Sequence, residues 1–217
     1  MKLLSVNIGE KRTQPKGDEL EITGIYKLPT QEPVEIKSLG IPQDVICDTK
    51  DHGGPDQAIY IYGMVDYAWW SNELGKKLEP GTFGENLTIS ELESTQFNIG
   101  DRLHVGTTIL EITAPRIPCS TLARRMGDPH FVKKYTQAAR PGLYCRVIQE
   151  GFVQVSNEVR VELYRGKTSS IADIFRDYHN KEISAEQLRH HLSAPVAIRL
   201  RQDLENHLQR VLEKNQT

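Results

Sequence analysis

From its start to about residue 165, this chain is a succession of short β-type runs, each closed by Gly, Pro, Asn or Asp. No regular strand–helix alternation organises them. The clearest runs are "LEITGIYK" from Leu20, "AIYIYG" from Ala58, "RLHVG" from Arg102, "TILEIT" from Thr108, "LYCRVI" from Leu143 and "FVQVSNEVRVEL" from Phe152, with a first strand over Leu3 to Asn7. In "TILEIT", Ile109, Glu111 and Thr113 alternate with Leu110 and Ile112, the period of two that gives a strand two different faces. Gly100-Asp101 and Gly106 mark turns, so the strands between them fold back antiparallel. Many short strands must protect their edges by curling. The pattern therefore predicts a mainly β fold, a closed or partly closed β-barrel. A helix near Met64 to Leu74 and a short one after Cys119 read as insertions.

The pattern changes near Thr168. Ile171, Ile174, Phe175 and Tyr178 fall at helical spacing, and "SAEQ" from Ser184 has the form of a capping box with Gln187 at its third position. Val196, Leu200, Leu204, Leu208 and Val211 make one long apolar stripe. The expectation is a barrel domain over 1–165 and a small three-helix domain over 168–217. From Thr168 onward there are seven Lys and Arg against seven Asp and Glu, so this segment is not a nucleic-acid arm.

With a formal net charge of −2, the chain has no global field to draw it to nucleic acid or anionic membranes. No apolar run approaches the roughly 20 residues that cross a bilayer. Three widely spaced cysteines, an odd number, argue against a disulfide framework and suit a reducing compartment. A cytoplasmic protein is expected, of an oligomeric state that the sequence does not tell.

Several motifs lose their first meaning on inspection. "RGKTSS" from Arg165 resembles the end of a phosphate-binding loop, but Val161 stands where that loop needs its first glycine. "DHGGPD" from Asp51 resembles an oxyanion loop, yet the chain has no Gly-x-Ser-x-Gly nucleophile elbow, which removes hydrolase chemistry. Gly53 and Gly54 still offer unobstructed backbone N–H groups, and His52 beside them can donate a hydrogen bond or carry charge near neutral pH. His190 and His191 are adjacent and point about 100° apart on a helix, so they cannot share a metal. "FGENLT" from Phe83 alone is a turn into a strand. Cys145 sits in an apolar run and reads as core; Cys47 is ambiguous.

Cys119 differs. Pro115 and Pro118 stiffen its backbone, Arg116 precedes it by three residues, and Arg124 and Arg125 follow. Cations near a thiol lower its pKa from about 8.5 and favour the thiolate, which attacks or ligates metal. On the residues alone, a functional and a structural thiol both remain open.

Taken in order, "TGIYKLP", "HGGPDQAIYIY", "FGENL", "GDRLHVG" and "APRIPC" resemble the MOSC family, named for the C-terminal domain of molybdenum cofactor sulfurase, and in particular its YiiM-like branch. That resemblance spans nearly the whole chain. It implies a β-barrel followed by a three-helix domain, and a molybdenum cofactor (molybdopterin) whose metal takes Cys119 as a protein ligand. It places Lys27, His52, Gly53, Gly54, Asn86, Arg116 and Cys119 around that cofactor, and makes His52, Glu85 and Asp56 candidate proton donors in a catalytic set with Cys119. The implied reaction is reduction of small N-hydroxylated compounds, N-hydroxylated purine bases among them. Its electrons would come from a separate reductase, because the chain has no flavin or dinucleotide fingerprint and too few cysteines for its own iron–sulfur cluster. The histidine loop departs from the family pattern: "IPQDVICDTKDHGG" keeps Asp44 and Asp48 but not the glycines before the histidine. Two other readings stand beside the reductase: a sulfur carrier with a persulfide on Cys119 serving metal–sulfur cluster or cofactor assembly, and a phosphate- or pyridoxal-phosphate-binding module using Lys27.

Overall fold

The computed structural model describes residues 1–49 and 52–214. Asp51, which opens "DHGGPD", and the last three residues of the 168–217 segment lie outside the described residues.

The elements follow in order. Strands β1 (Leu3–Gly9), β2 (Arg12–Lys16), β3 (Glu19–Thr23), β4 (Lys27–Thr30), β5 (Val34–Ile36) and β6 (Ile59–Gly63) lead into helix α1 (Met64–Glu73). Then come β7 (Leu87–Ile89), β8 (Arg102–Val105), β9 (Thr108–Pro115), α2 (Ser120–Met126), α3 (Phe131–Ala138), β10 (Leu143–Gln149), β11 (Gly151–Val153) and β12 (Val159–Glu162). Helices α4 (Ile171–Asp177), α5 (Ala185–Leu192) and α6 (Ile198–Lys214) finish the described chain.

Eight strands form one sheet in the order β12-β8-β9-β10-β6-β7-β1-β4, while β2-β3 and β5-β11 pair apart from it. The sheet is mixed: β6 and β7 run parallel, and α1 lies in the crossover that a parallel pair requires. Two expectations need correction. Strands and helices take similar shares of the chain, so the fold is not mainly β. Nor does the barrel close. β4 occupies one edge of β1 from Val6 to Gly9, which leaves only Met1–Leu3 to meet the far end of the sheet. There a single bridge, Lys2 to Glu158, takes the place of a ladder. The run "LEITGIYK" is likewise two strands, broken at Gly24–Tyr26, and "FVQVSNEVRVEL" is broken by a turn at Ser156.

β9 shows why the sheet is thick on both sides. Leu110 and Ile112 enter the apolar core, while Glu111 on the other face is covered through ion pairs to Arg102 and Arg146. Helices α4–α6 pack onto that same core: Ile171, Ile174, Leu188, Leu200 and Leu204 form one apolar cluster with sheet residues such as Leu103 and Leu143. The capping box forms as read, with Gln187 N–H donating to Ser184 Oγ and Ser184 N–H to Gln187 Oε1, each at 3.1 Å. His190 and His191 do point apart. His191 is buried between Ser169 (2.7 Å) and Asp177 (3.1 Å), while His190 is exposed. A second cluster is aromatic. Tyr62 stacks on Phe83 at 4.4 Å, and Trp70 of α1 donates to the Tyr62 hydroxyl at 2.9 Å. Buried rings with partnered polar atoms make a rigid floor.

Candidate functional site

β9 ends at Pro115, and the next residues carry the chemistry. Arg116 turns inward and is only 4 % exposed; Pro118 then delivers Cys119 as the N-cap of α2, its backbone extended. The thiol faces a cleft of about 130 Å³ between the sheet, the β3 end of the β2–β3 hairpin and the loop carrying His52. Lys27, His52, Gly53, Asn86, Arg116 and Cys119 all line it. Gly53 has φ +71°, a backbone that L side chains rarely adopt, so the shape of the loop favours glycine there.

Three local arrangements set the electrostatics. First, the Arg116 guanidinium lies 5.0 Å over the Tyr60 ring and donates to the Phe83 carbonyl, while its buried Nε finds no partner among the described residues. No carboxylate is paired with it among the ion pairs of the described residues. Second, burial pushes the Cys119 thiol up, but the His52 hydrogen bond, the Arg116 charge and the Leu122 N–H outweigh it and bring the thiol down to about 6. His52 Nδ1 in turn lies 3.4 Å from Asp48 Oδ2, so the imidazole is held between a carboxylate and the sulfur. Third, burial pulls the Lys27 ammonium down, opposed by its ion pair with Asp44. Asp44 also accepts from Asn86 Nδ2 at 2.9 Å and Gly9 N–H at 2.7 Å.

A thiolate at neutral pH has a direct signature. Alkylation of Cys119 by iodoacetamide, resolved by peptide mass spectrometry, is expected to rise with pH around a midpoint near 6, because only the deprotonated sulfur attacks. His52→Ala removes the hydrogen bond and moves the midpoint upward. A native midpoint at about 8.5, the value of a free cysteine, contradicts the arrangement.

The cleft gathers most of the cofactor-binding and catalytic candidates read in the sequence, but three of those lie elsewhere. Glu85 is fully buried and accepts from Tyr67 Oη and Gly81 N–H at 2.6 Å and Thr88 Oγ1 at 2.8 Å; it does not line the cleft. Its neighbour Asn86 does, with its side-chain amide donating to Asp44 Oδ2 at the cleft wall. Asp56 points to the C-terminal helices, pairing with Arg146 (3.1 Å) and accepting the Ile198 N–H (2.8 Å). Gly54 does not line the cleft and faces Arg199. Arg124 and Arg125, read as helpers of the thiolate, are engaged elsewhere: Arg124 pairs with Glu21, and Arg125 donates to the carbonyls of Thr82, Ile25 and Gly81. The sequence reading missed Tyr60 and Tyr144 as walls, and the role of Asp44 as partner of Lys27. The alternation in "AIYIYG" offers a signal for Tyr60; nothing local pairs Asp44 with Lys27.

Fold and cleft together define a class: an open mixed sheet carrying one activated thiol and one buried guanidinium at the end of a central strand. Residues 48–160 match the family model of the MOSC domain, and the chain belongs to that family. It is 35% identical over 162 residues to the uncharacterized protein YflK of Bacillus subtilis, a match covering 74% of this chain and 72% of that one. Protein YiiM of Escherichia coli is 26% identical over 79% of this chain and 74% of its own length. The crystal structure of YiiM from Geobacillus stearothermophilus superposes with a TM-score of 0.78 at 28% identity, covering 95% of this chain and 98% of that one. A protein of Gibberella moniliformis called a reductase is 29% identical over 69% of this chain, which is 27% of that longer protein. Among the described residues no helix is long and apolar enough to cross a membrane.

Proposed function

We propose that this chain is a molybdenum-cofactor-dependent oxidoreductase that reduces N-hydroxylated compounds, N-hydroxylated purine bases among them, with electrons from a separate reductase. The observation that carries the reading is the Cys119 thiol, brought down to about 6 beside a buried Arg116 that has no carboxylate partner among the described residues. The cofactor fits this donor set. A soft thiolate suits a thiophilic metal. A buried guanidinium with an unused N–H suits an anionic group, which would complete its hydrogen bonding. The described residues contain no cluster of three or more His, Cys, Asp or Glu able to hold a metal, so the remaining ligands would come from the cofactor itself.

In this reading Cys119 ligates the metal, and Arg116 holds the cofactor's anionic end. Lys27 contributes no net charge, because Asp44 neutralises it. The cofactor, when bound, supplies a two-electron redox couple. Converting a hydroxylamine to an amine and water takes two electrons and two protons, and His52 holds a proton at the cleft, braced by Asp48. Ile22, Ile25, Val45 and Ile46, with the rings of Tyr60 and Tyr144, offer an apolar wall suited to a flat substrate. A related stretch within a longer protein called a reductase supports a redox role.

The test uses protein made in a host with an intact molybdenum-cofactor pathway. It is incubated with a chemical reductant and an N-hydroxylated adenine analogue, and the free amine is followed. Turnover supports the proposal. Fully molybdenum-loaded protein that turns over none of several N-hydroxylated substrates, while a stable persulfide forms on Cys119, overturns it in favour of a sulfur carrier.

A further inference from the structure

The loop that carries His52 is fastened from outside the cleft by the start of α6, and that fastening is unusually dense. Arg199 donates through one nitrogen to the Gly53 carbonyl at 2.8 Å and to Gln57 Oε1 at 3.0 Å, and through the other to the Thr49 carbonyl at 3.0 Å. One guanidinium thus spans both flanks of His52. Beside it, Asp56 accepts the Ile198 N–H and pairs with Arg146. The Ala197 N–H donates to the Thr113 carbonyl at 2.9 Å, on the strand that leads to Cys119. The first turn of α6 and the residue before it therefore grip both halves of the cleft, the His52 loop and the Cys119 strand, although among the described residues none beyond Tyr144 lines the cleft itself.

We infer that Arg199 is a positioning residue, holding the His52 loop so that the imidazole meets the Cys119 sulfur. This rests on the reading of that cleft as the reacting site, and it gives the C-terminal helices a role in assembling it. Gly53 and Gly54, at φ +71° and +82°, adopt a backbone that L side chains rarely take, so the loop's shape needs glycine. Carbonyl contacts to a charged, forked donor are the means available to fix such backbone, and a guanidinium makes several at once in fixed geometry. A lysine could reach only one of these acceptors well.

The test is made on the full chain without cofactor or substrate. Arg199→Met is expected to speed backbone amide exchange in peptides covering residues 45–58 by about tenfold or more, the effect of losing hydrogen bonds to a charged group. Arg199→Lys should fall between native and methionine. Arg201→Met is the control, because among the described residues the Arg201 side chain donates to the Leu192 and Ala194 carbonyls, within the helical segment. It should leave loop exchange within about twofold of native. In Arg199→Met the ring-nitrogen resonances of His52 should also move toward those of a free imidazole, which a purely structural loss in the helices does not produce. Arg199→Gln gives the same reading should the methionine variant not fold. Unchanged loop exchange in the Arg199 variants overturns the inference, as does equal acceleration in Arg201→Met. Because neither readout involves turnover, failure of the reductase proposal leaves this result standing, and a still loop refutes the Arg199 role whatever the turnover.

Discussion

Replacing Cys119 by serine is expected to remove molybdenum and turnover together while leaving the fold intact. The substitution exchanges a soft donor, ionised at neutral pH, for a hydroxyl that stays protonated and binds thiophilic metals poorly. Losing a partner one shell further out already costs metal sites about 10–100-fold in affinity, so losing the ligand itself should exceed that. The fold should survive because Cys119 is only half-buried, at a helix start that serine caps well. Cys145 supplies the contrast. It is fully buried in β10 and its thiol is pushed up, first by burial and then by Glu111, so Cys145→Ser should lower stability and leave metal per folded molecule unchanged. Metal analysis with a thermal melt on both variants decides it. Full molybdenum in Cys119→Ser would mean that another residue holds the metal.

The second large effect concerns stability. Asp44→Ala strands the buried Lys27 ammonium and takes an acceptor from Asn86 and Gly9. Removing one partner of a buried pair costs about 3–5 kcal/mol, because the other charge is left uncompensated. For a chain of this size that lowers the melting midpoint by about 10 °C. The loss should be pH-dependent in a known direction. Burial already lowers the pKa of Lys27 in the folded state, and without Asp44 it falls further. Between that folded value and the unfolded 10.5, the unfolded chain binds more protons, so stability of the variant rises with pH across the window. Lys27→Met combined with Asp44→Leu should recover most of the loss, since neither charge then remains. Denaturant titrations at two pH values measure all of this. A single variant as stable as the native chain would mean that water reaches Lys27.

What was legible in the sequence was what neighbours along the chain decide. Cys119 stands three residues from Arg116 on one proline-stiffened stretch, so local spacing alone put thiol and cation in one place. The short β runs, the capping box at Ser184 and the stripe through Leu200 and Leu204 follow from periodicities of two and 3.6 that a single element carries within itself. The tertiary structure alone decided the rest. Whether the sheet closes depended on how β1 shares its edge between β4 and residues 156–159. Glu85 and Asn86 are adjacent in sequence, yet only the placement of β7 beside β1 and β6 shows which one faces the cleft. Lys27 meets Asp44 across 17 residues of chain, and Arg199 meets Gly53 across 146. Such contacts leave no periodic trace, because the charge of each partner is equally consistent with a solvated surface until the fold buries it.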